Sequence, residues 1–486
     1  MSKKPNIVIF NPDQYRSDAL AHLGNEGAIT PHLDNIIEDD AVSFANAFCQ
    51  NPVCTPSRCS FMSGWYPHVR GHRTMYHMMH EDEPVLLKEL KDNGYYVWWG
   101  GKNDLVPGQG SFAPYCNLKY EPEGEIEPGL HADLSWRGSK SGNNYYSFFA
   151  GKLDTGKNEV YYDSDWAYID GAVDFIKNGP ESEPFCIYLL LLYPHPPYGV
   201  EDPWYSSVDR DKIPARIPAP ASWNNKPSIL KGIYENQNLQ NWSEEKWTEL
   251  RATYLGMCSR IDYQFGMIIK ALKKAGIYDN TAVFFFSDHG DFTGDYGLVE
   301  KNQNTFEDCL VNVPFIIKPP KNVKVKAGIS NSLVELVDFP ATVAELSGID
   351  LGYTHFGQSL LPVIIGESDK HRDAVFSEGG RLQGEEHCME LESGSDDPEG
   401  LYWPRLTLQK KIPEHSKAVM VRTGQYKYVR RLYEKDELYD LEADPRELNN
   451  LIDKPEMVSV LSRLKDRLFT FYMETGDVVP HEADER

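Results

Sequence analysis

Asn6-Ile7-Val8-Ile9-Phe10-Asn11-Pro12-Asp13-Gln14 is the stretch from which the fold is read. Its apolar run, 7–10, is continuous rather than alternating, as in a strand buried on both faces, and it feeds directly into a polar loop. The same design recurs at 185–192, ending at Tyr193-Pro194-His195-Pro196, and at 282–286, ending at Ser287-Asp288-His289-Gly290; a fourth run covers 314–317. Tyr95-Tyr96-Val97-Trp98-Trp99, ahead of Gly100-Gly101-Lys102, is a further strand-like run. Helix-like segments lie between them at 163–177 and 244–274, the latter with Ile261, Phe265, Ile268, Ile269 and Leu272 at helical spacing. Strands alternating with helices predict an α/β protein whose large mixed, mostly parallel sheet is flanked by helices.

In open sheets of this kind, ligands bind beyond the carboxyl ends of the strands. Asp13, His195 and the Asp288-His289 pair all stand at such ends, so the fold alone would gather them. The stretches 107–162 and 196–242, rich in Pro, Gly, Asn, Tyr and Trp, read as long loops over that edge. Tyr76-His77, Tyr145-Tyr146, Tyr198, Trp204, His387 and Trp403 are the aromatic candidates for a pocket wall. An acidic, Gly-rich loop at 379–404 follows. Segments 418–421 and 426–429, joined by a turn at Thr423-Gly424, predict antiparallel strands, and 437–441 with the amphipathic stretch 457–472 completes a smaller α+β unit. The expected division is an α/β catalytic domain, 1–370, and a C-terminal α+β subdomain containing an antiparallel sheet, 371–486.

The 486-residue chain carries 49 Lys+Arg against 73 Asp+Glu, a formal charge of -24. That surface argues against nucleic acid or an anionic membrane as partner, and an anionic substrate would need a local basic pocket working against the global field. The short apolar run after Met1-Ser2-Lys3-Lys4-Pro5 is neither a signal core nor a span, so a cytoplasmic location is expected. Eight scattered cysteines (49, 54, 59, 116, 186, 258, 309, 388) fit reduced thiols. The even spacing of Cys49, Cys54 and Cys59 is not that of a zinc site. Oligomeric state is not encoded in any pattern here.

Cys54-Thr55-Pro56-Ser57-Arg58 is the chain's most specific pentapeptide. Taken alone it fits a core cysteine beside a turn proline equally well. Together with Asn6 to Gln14, Gly100-Gly101-Lys102 and Ser287-Asp288-His289-Gly290-Asp291, in that order, it resembles the sulfatase family within the wider alkaline-phosphatase-like group. Glu437-Leu438-Tyr439-Asp440-Leu441-Glu442-Ala443-Asp444-Pro445 resembles the family's closing segment, so the similarity spans nearly the whole chain.

The resemblance implies that a formylglycine-generating (sulfatase-maturing) enzyme oxidises Cys54 to formylglycine. The hydrated aldehyde is a geminal diol: one hydroxyl attacks sulfur, and the other later expels the sulfo group and regenerates the aldehyde. It further implies a divalent cation held by Asp13, Asp288 and His289, with the amide oxygen of Gln14 and the residue derived from Cys54 beside them. An oxygen-rich set with one imidazole suits calcium, magnesium or manganese, whereas zinc attracts more His or Cys; the family favours calcium. Such an ion would hold one substrate oxygen and acidify the diol. Arg58, one helical turn beyond Cys54, would hold the diol and sulfate oxygens. By the same resemblance Lys102 contacts the sulfate group, Lys301 stabilises the leaving oxygen and His195 protonates the departing alcohol.

Two positions depart from the family. Gln14 stands where many members have a second Asp, a pair shared with choline-sulfatase-like and phosphonate-monoester-hydrolase-like relatives. Asp104, in Gly101-Lys102-Asn103-Asp104, replaces the histidine of a Gly-Lys-x-His pattern. Asp104 would then serve as the base, or His72 would take over, or the site would bind a positively charged substrate group there. The expected activity is hydrolysis of a small sulfate ester, with a sulfated carbohydrate preferred. The alternatives are a phosphonate monoester or phosphodiester hydrolase on the same scaffold and a non-catalytic sulfate-ligand-binding homologue.

Overall fold

The computed structural model describes residues 4–180, 182–390 and 397–485. Met1 to Lys3, on which part of the N-terminal reading rests, and positions 391–396 of the acidic loop lie outside the described residues. Along the chain run β1 (Asn6–Pro12), β2 (Val42–Phe48), β3 (Tyr96–Gly101), β4 (Leu118–Tyr120) and β5 (Phe149–Lys152). After them come β6 (Phe185–Leu191), β7 (Tyr198–Val200), β8 (Thr281–Phe286), β9 (Phe315–Lys318) and β10 (Gly328–Glu335). The main sheet has eight strands in the order β10-β2-β9-β8-β1-β6-β3-β4, and β5 pairs separately with β7. Only β9 runs against its neighbours, which makes the sheet mixed but mostly parallel.

β1 lies at the centre, paired in parallel with β6 on one side and β8 on the other. Its alternate residues serve two cores, as the two-residue period of a strand requires. Ile7 and Ile9 pack with Tyr188, Phe284 and Phe286, whereas Val8 and Phe10 pack with Leu189, Phe285 and Phe265 of the helix Glu244–Lys274. The register sets Pro12 beside Leu191 and Phe10 beside Phe285, so the three strands end nearly level. Asp13, the turn carrying His195 and the Asp288-His289 pair therefore leave the sheet on one edge.

β11 (Val375–Gly379), β12 (Ala418–Arg422), β13 (Tyr426–Arg431) and β14 (Glu437–Asp440) form an antiparallel sheet near the C-terminus. Its residues alternate as well. Ala418, Met420 and Val429 join the main core, while Val419, Val421 and Tyr428 pack under the helix Val458–Thr475 with Leu468 and Phe471. β2 and β10 carry no continuous apolar run, because Ser43, Asn46, Ser330, Asn331 and Ser332 interrupt the pattern, and the sequence reading misses both. The 196–242 stretch, expected as loop, contains the helix Ser228–Gln237, whose Ile229, Leu230 and Ile233 are buried. No helix among the described residues is long and apolar enough to cross a membrane.

Gly100 and Gly101 end β3 where it crowds β6. Gly101 has φ of +95°, and an added Cβ would lie 1.8 Å from the Leu190 carbonyl oxygen. Gly129, by contrast, has nothing within 4 Å of that point. Gly101→Ala is expected to cost roughly 3 kcal/mol or more, and Gly129→Ala to stay within about 0.5 kcal/mol of the parent. Denaturant unfolding of the two variants checks both.

Candidate active site

Cys54 opens the helix Cys54–Ser63, all ten of whose residues are buried. Gly64 closes that helix in the left-handed conformation, and Ser57 Oγ donates 2.6 Å to the Asp288 carbonyl, tying it to the end of β8. The free amides and positive dipole end of the helix thus surround position 54, a setting that favours an anion. The thiol is 3.5 Å from both Asp13 carboxylate oxygens, 3.3 Å from His289 Nε2 and 3.8 Å from Lys102 Nζ. Burial, and then the Asp13 charge, push this thiol well up, so it stays protonated.

Two carboxylates without solvent need a counter-charge. Arg58 supplies it: Nε donates to Asp288 Oδ2 and Nη2 to Asp13 Oδ2, each at 3.0 Å, with all three side chains fully buried. Its Nη1 is buried without a hydrogen-bond partner. Arg58 thus clamps both acids that lie beside position 54. Lys102 donates to Asp13 Oδ2 at 3.0 Å and pairs with Asp104 at 2.8 Å, its side chain 30% exposed at the mouth. Burial alone would raise the Asp13 carboxyl; the positive charges around it, Lys102 foremost with Arg58 and Lys301, hold it well below its usual range. Against the cost of desolvation, Asp104 and then Asp13 hold the Lys102 ammonium well above its own.

His289 Nδ1–H donates to the Gly290 carbonyl at 2.9 Å, which leaves Nε2 as a lone-pair donor 3.6 Å from Asp13 and 3.8 Å from Asp288. Burial keeps this imidazole neutral by lowering its pKa. One ligand atom each from Asp13, Cys54, Asp288 and His289 lies within 4.8 Å of the others. Two carboxylates, a neutral imidazole and an orphaned guanidinium donor fit a divalent cation with an oxyanion beside it.

Gln14 holds φ of +68°, uncommon for a residue with a side chain. Four contacts enforce it. Its amide N–H donates to Asp288 Oδ1 (3.1 Å), its carbonyl accepts from Tyr254 OH (2.8 Å), Nε2 donates to Asp291, and Oε1 accepts from Lys301 Nζ (2.6 Å). Asp291 is itself held by Tyr198 OH (2.7 Å) and Thr293 Oγ1 (2.6 Å), and burial raises its pKa to about 6.

Lys301 also donates to His195 Nε2 at 2.9 Å, while His195 Nδ1–H donates to the Pro196 carbonyl at 2.6 Å. Burial, reinforced by Lys301, drives His195 well below the ordinary imidazole range. The His131 ring lies 5.8 Å from it and bonds Tyr402 OH at 3.0 Å.

The structure thus brings together Asp13, Gln14, Cys54, Arg58, Lys102, Asp104, His195, Asp288, His289 and Lys301. His72 is held elsewhere, between the His77 carbonyl (2.9 Å) and Glu83 (3.0 Å). Two aromatic candidates are corrected. Tyr198 is buried, with its hydroxyl joining Asp291 to the Glu300 amide, and Trp204 packs in the core against Trp166 and Tyr263. Tyr146 stacks on Trp403, and His77 lies 6.2 Å from His387. Asp291, Tyr254 and His131 were not singled out from sequence; only Asp291, inside the Ser287 to Asp291 motif, carried a signal.

The sulfatase family model matches residues 5–349, and that of the N-sulphoglucosamine sulphohydrolase C-terminal region matches 408–474. The chain is 26% identical to an arylsulfatase of Clostridium perfringens, over 93% of this chain and 91% of that one. It is also 26% identical to an ulvan-active sulfatase of Formosa agariphila, over 98% and 82%. A solved 2-O GAG sulfatase superposes with a TM-score of 0.74 at 22% identity, covering 98% of this chain and 93% of the other. The phosphonate monoester hydrolase of Agrobacterium radiobacter shares the fold equally well, with a TM-score of 0.74 at 21% identity over 97% and 96%. With most of its length matched by the family's own model, the chain belongs to the sulfatases, hydrolases of sulfate esters.

Proposed function

We propose that this sulfatase cleaves the sulfate ester of a carbohydrate, with formylglycine derived from Cys54 as nucleophile and a calcium ion held by Asp13, Gln14, Asp288 and His289. Magnesium and manganese are the alternatives for the ion. The observation that carries the reading is the buried convergence of Asp13, Cys54, Asp288 and His289 at one helix N-terminus, with Arg58 and Lys102 against it. Relatives named for ulvan and for N-acetylglucosamine-6-O-sulfate chemistry support a sugar as the alcohol. In this reading residues 1–370 are the catalytic domain, 371–486 the smaller subdomain, and a formylglycine-generating enzyme is an obligatory earlier partner.

The bound cation would supply fixed positive charge against one sulfate oxygen and a more acidic nucleophile. Formylglycine would supply an oxygen nucleophile that is regenerated as an aldehyde. The chain's own residues do the rest. Arg58 and Lys102 bind the sulfate oxygens, and the helix N-terminus favours their charge. Lys301 faces the ester oxygen and, through the hydrogen bond it donates to His195 Nε2, supplies the proton that Nε2 takes up and delivers to that oxygen as the bond to sulfur breaks, while Nδ1–H stays on the Pro196 carbonyl. Asp104, paired with Lys102 at 2.8 Å, keeps that ammonium charged and serves as the base for the proton that a matured residue must lose.

Peptide mass spectrometry on active protein from a host with maturation machinery is expected to show formylglycine at position 54; unmodified cysteine in that active protein overturns the assignment. Turnover of sulfated monosaccharides is expected to exceed that of a phosphodiester and a phosphonate monoester, and the reverse order favours the phosphonate monoester hydrolase reading that the shared fold and the Asp13-Gln14 pair allow. Arg58→Met leaves Asp288 buried without its ion pair and Asp13 paired only with Lys102, so in chelator it should lose about 3–5 kcal/mol of stability. Calcium should restore more stability to this variant than to the parent, as read by unfolding with and without EDTA.

A further inference from the structure

The general acid hangs from a turn that is gripped from behind by charges the chemistry above does not use. Asp163 caps the helix Ser164–Asn178, accepting the amides of Asp165 (3.1 Å) and Trp166 (3.3 Å). Asp165, inside the first turn, is buried and leaves that capping task to Asp163. Its Oδ1 accepts the Leu192 amide and its Oδ2 the Tyr193 amide, each at 2.8 Å. These are the residues that carry the chain from the end of β6 to His195.

A buried carboxylate needs a nearby cation and full hydrogen bonding to be tolerated. Burial and the Asp163 charge raise the Asp165 pKa to about 7; Arg260, from the long helix Glu244–Lys274, acts against this through its field rather than a direct pair. Arg260 pairs with Asp163 at 2.5 Å and Glu201 at 3.4 Å, and its guanidinium lies 4.2 Å over the Tyr193 ring. Tyr193 OH donates to the Gly199 carbonyl at 2.9 Å, so the turn is held at its far end too. The His195 ring follows the turn's backbone because Nδ1 donates to the Pro196 carbonyl, and Nε2 is thereby presented to Lys301. A cavity of about 20 Å³ is lined by Asp163, Asp165, Leu192, Tyr193 and His195, so Asp165 and the imidazole border the same small space.

We propose that Asp165 is a positioning residue for the leaving-group acid: through the Leu192 and Tyr193 amides its carboxylate holds the turn that aims His195 Nε2 at the ester oxygen. The inference rests on the reading of His195 as that acid. A carboxylate that merely braced the fold would slow all substrates alike. One that aims the acid matters only where the departing oxygen needs a proton, since a stabilised phenolate leaves without help.

The test measures kcat and kcat/KM of the matured full-length enzyme on 4-nitrophenyl sulfate and 4-methoxyphenyl sulfate, good and poor leaving groups of similar shape. Asp165→Asn places an NH2 donor among amides that need acceptors; Asp165→Ser, which keeps one acceptor, serves if the Asn variant folds poorly. The 4-methoxyphenyl rate is expected to fall about tenfold more than the 4-nitrophenyl rate. That selective loss should vanish when the substitution is made in a His195→Ala background, as coupled residues require. Equal slowing of both substrates, or a selective loss that persists undiminished without His195, overturns the proposal. If His195→Ala alone slows both substrates equally, the acid assignment itself fails and this inference falls with it.

Discussion

The constraint on which the site depends is the burial of Asp13 and Asp288 side by side beneath a single guanidinium. Neither carboxylate reaches water, and Arg58 bridges both at 3.0 Å. Leaving either acid unpaired there would cost several kcal/mol, so the helix that carries Arg58 is locked to the ends of β1 and β8. Because Cys54 begins that helix, the same ion triad sets the position of residue 54, the proposed nucleophile. The placement of Cys54 is a by-product of charge neutralisation.

Around the triad, support comes in successive contacts rather than in one rigid loop. Gln14 is kept at positive φ by Asp288, Tyr254, Asp291 and Lys301, and Asp291 is in turn fixed by Tyr198 and Thr293. Glu300, also at positive φ, receives Arg405 on its carboxylate at 3.0 Å and donates its amide to Tyr198 OH at 2.9 Å. Backbone strain of this sort persists only where surrounding bonds over-determine it. Here it sets the Gln14 amide oxygen against the Lys301 ammonium at 2.6 Å.

Net charge and site chemistry pull in opposite directions. The chain carries a formal charge of -24, yet its active edge collects Arg58, Lys102 and Lys301 within reach of position 54. Long-range attraction of an anionic sulfate ester is therefore absent, and recognition falls to short-range contacts in a low-dielectric pocket, where each charge counts for more. The C-terminal sheet contributes by packing one face into the main core, which makes it part of the same folded body as the sheet that bears the site.

The buried strands of the sheet's centre were legible because parallel strands covered on both faces must be continuously apolar, and the residues just past their ends inherit the ligand-binding edge. Asp13, His195 and Asp288-His289 could be named on that ground, with Cys54, Arg58, Lys102 and Lys301 following from family resemblance. β2 and β10, broken by serine and asparagine, were not legible, nor was the helix Ser228–Gln237 inside a stretch rich in loop residues. Tyr198 and Trp204 show the same limit, since an aromatic ring has one composition whether it lines a pocket or fills a core. Asp165, Asp291 and Tyr254 act through partners between 2 and about 280 positions away, and no local pattern encodes such pairings. Sequence by itself determined the strand ends and the chemistry placed on them. Which distant side chains brace those ends was decided only by tertiary structure, because strand register and helix packing choose the neighbours of every buried charge.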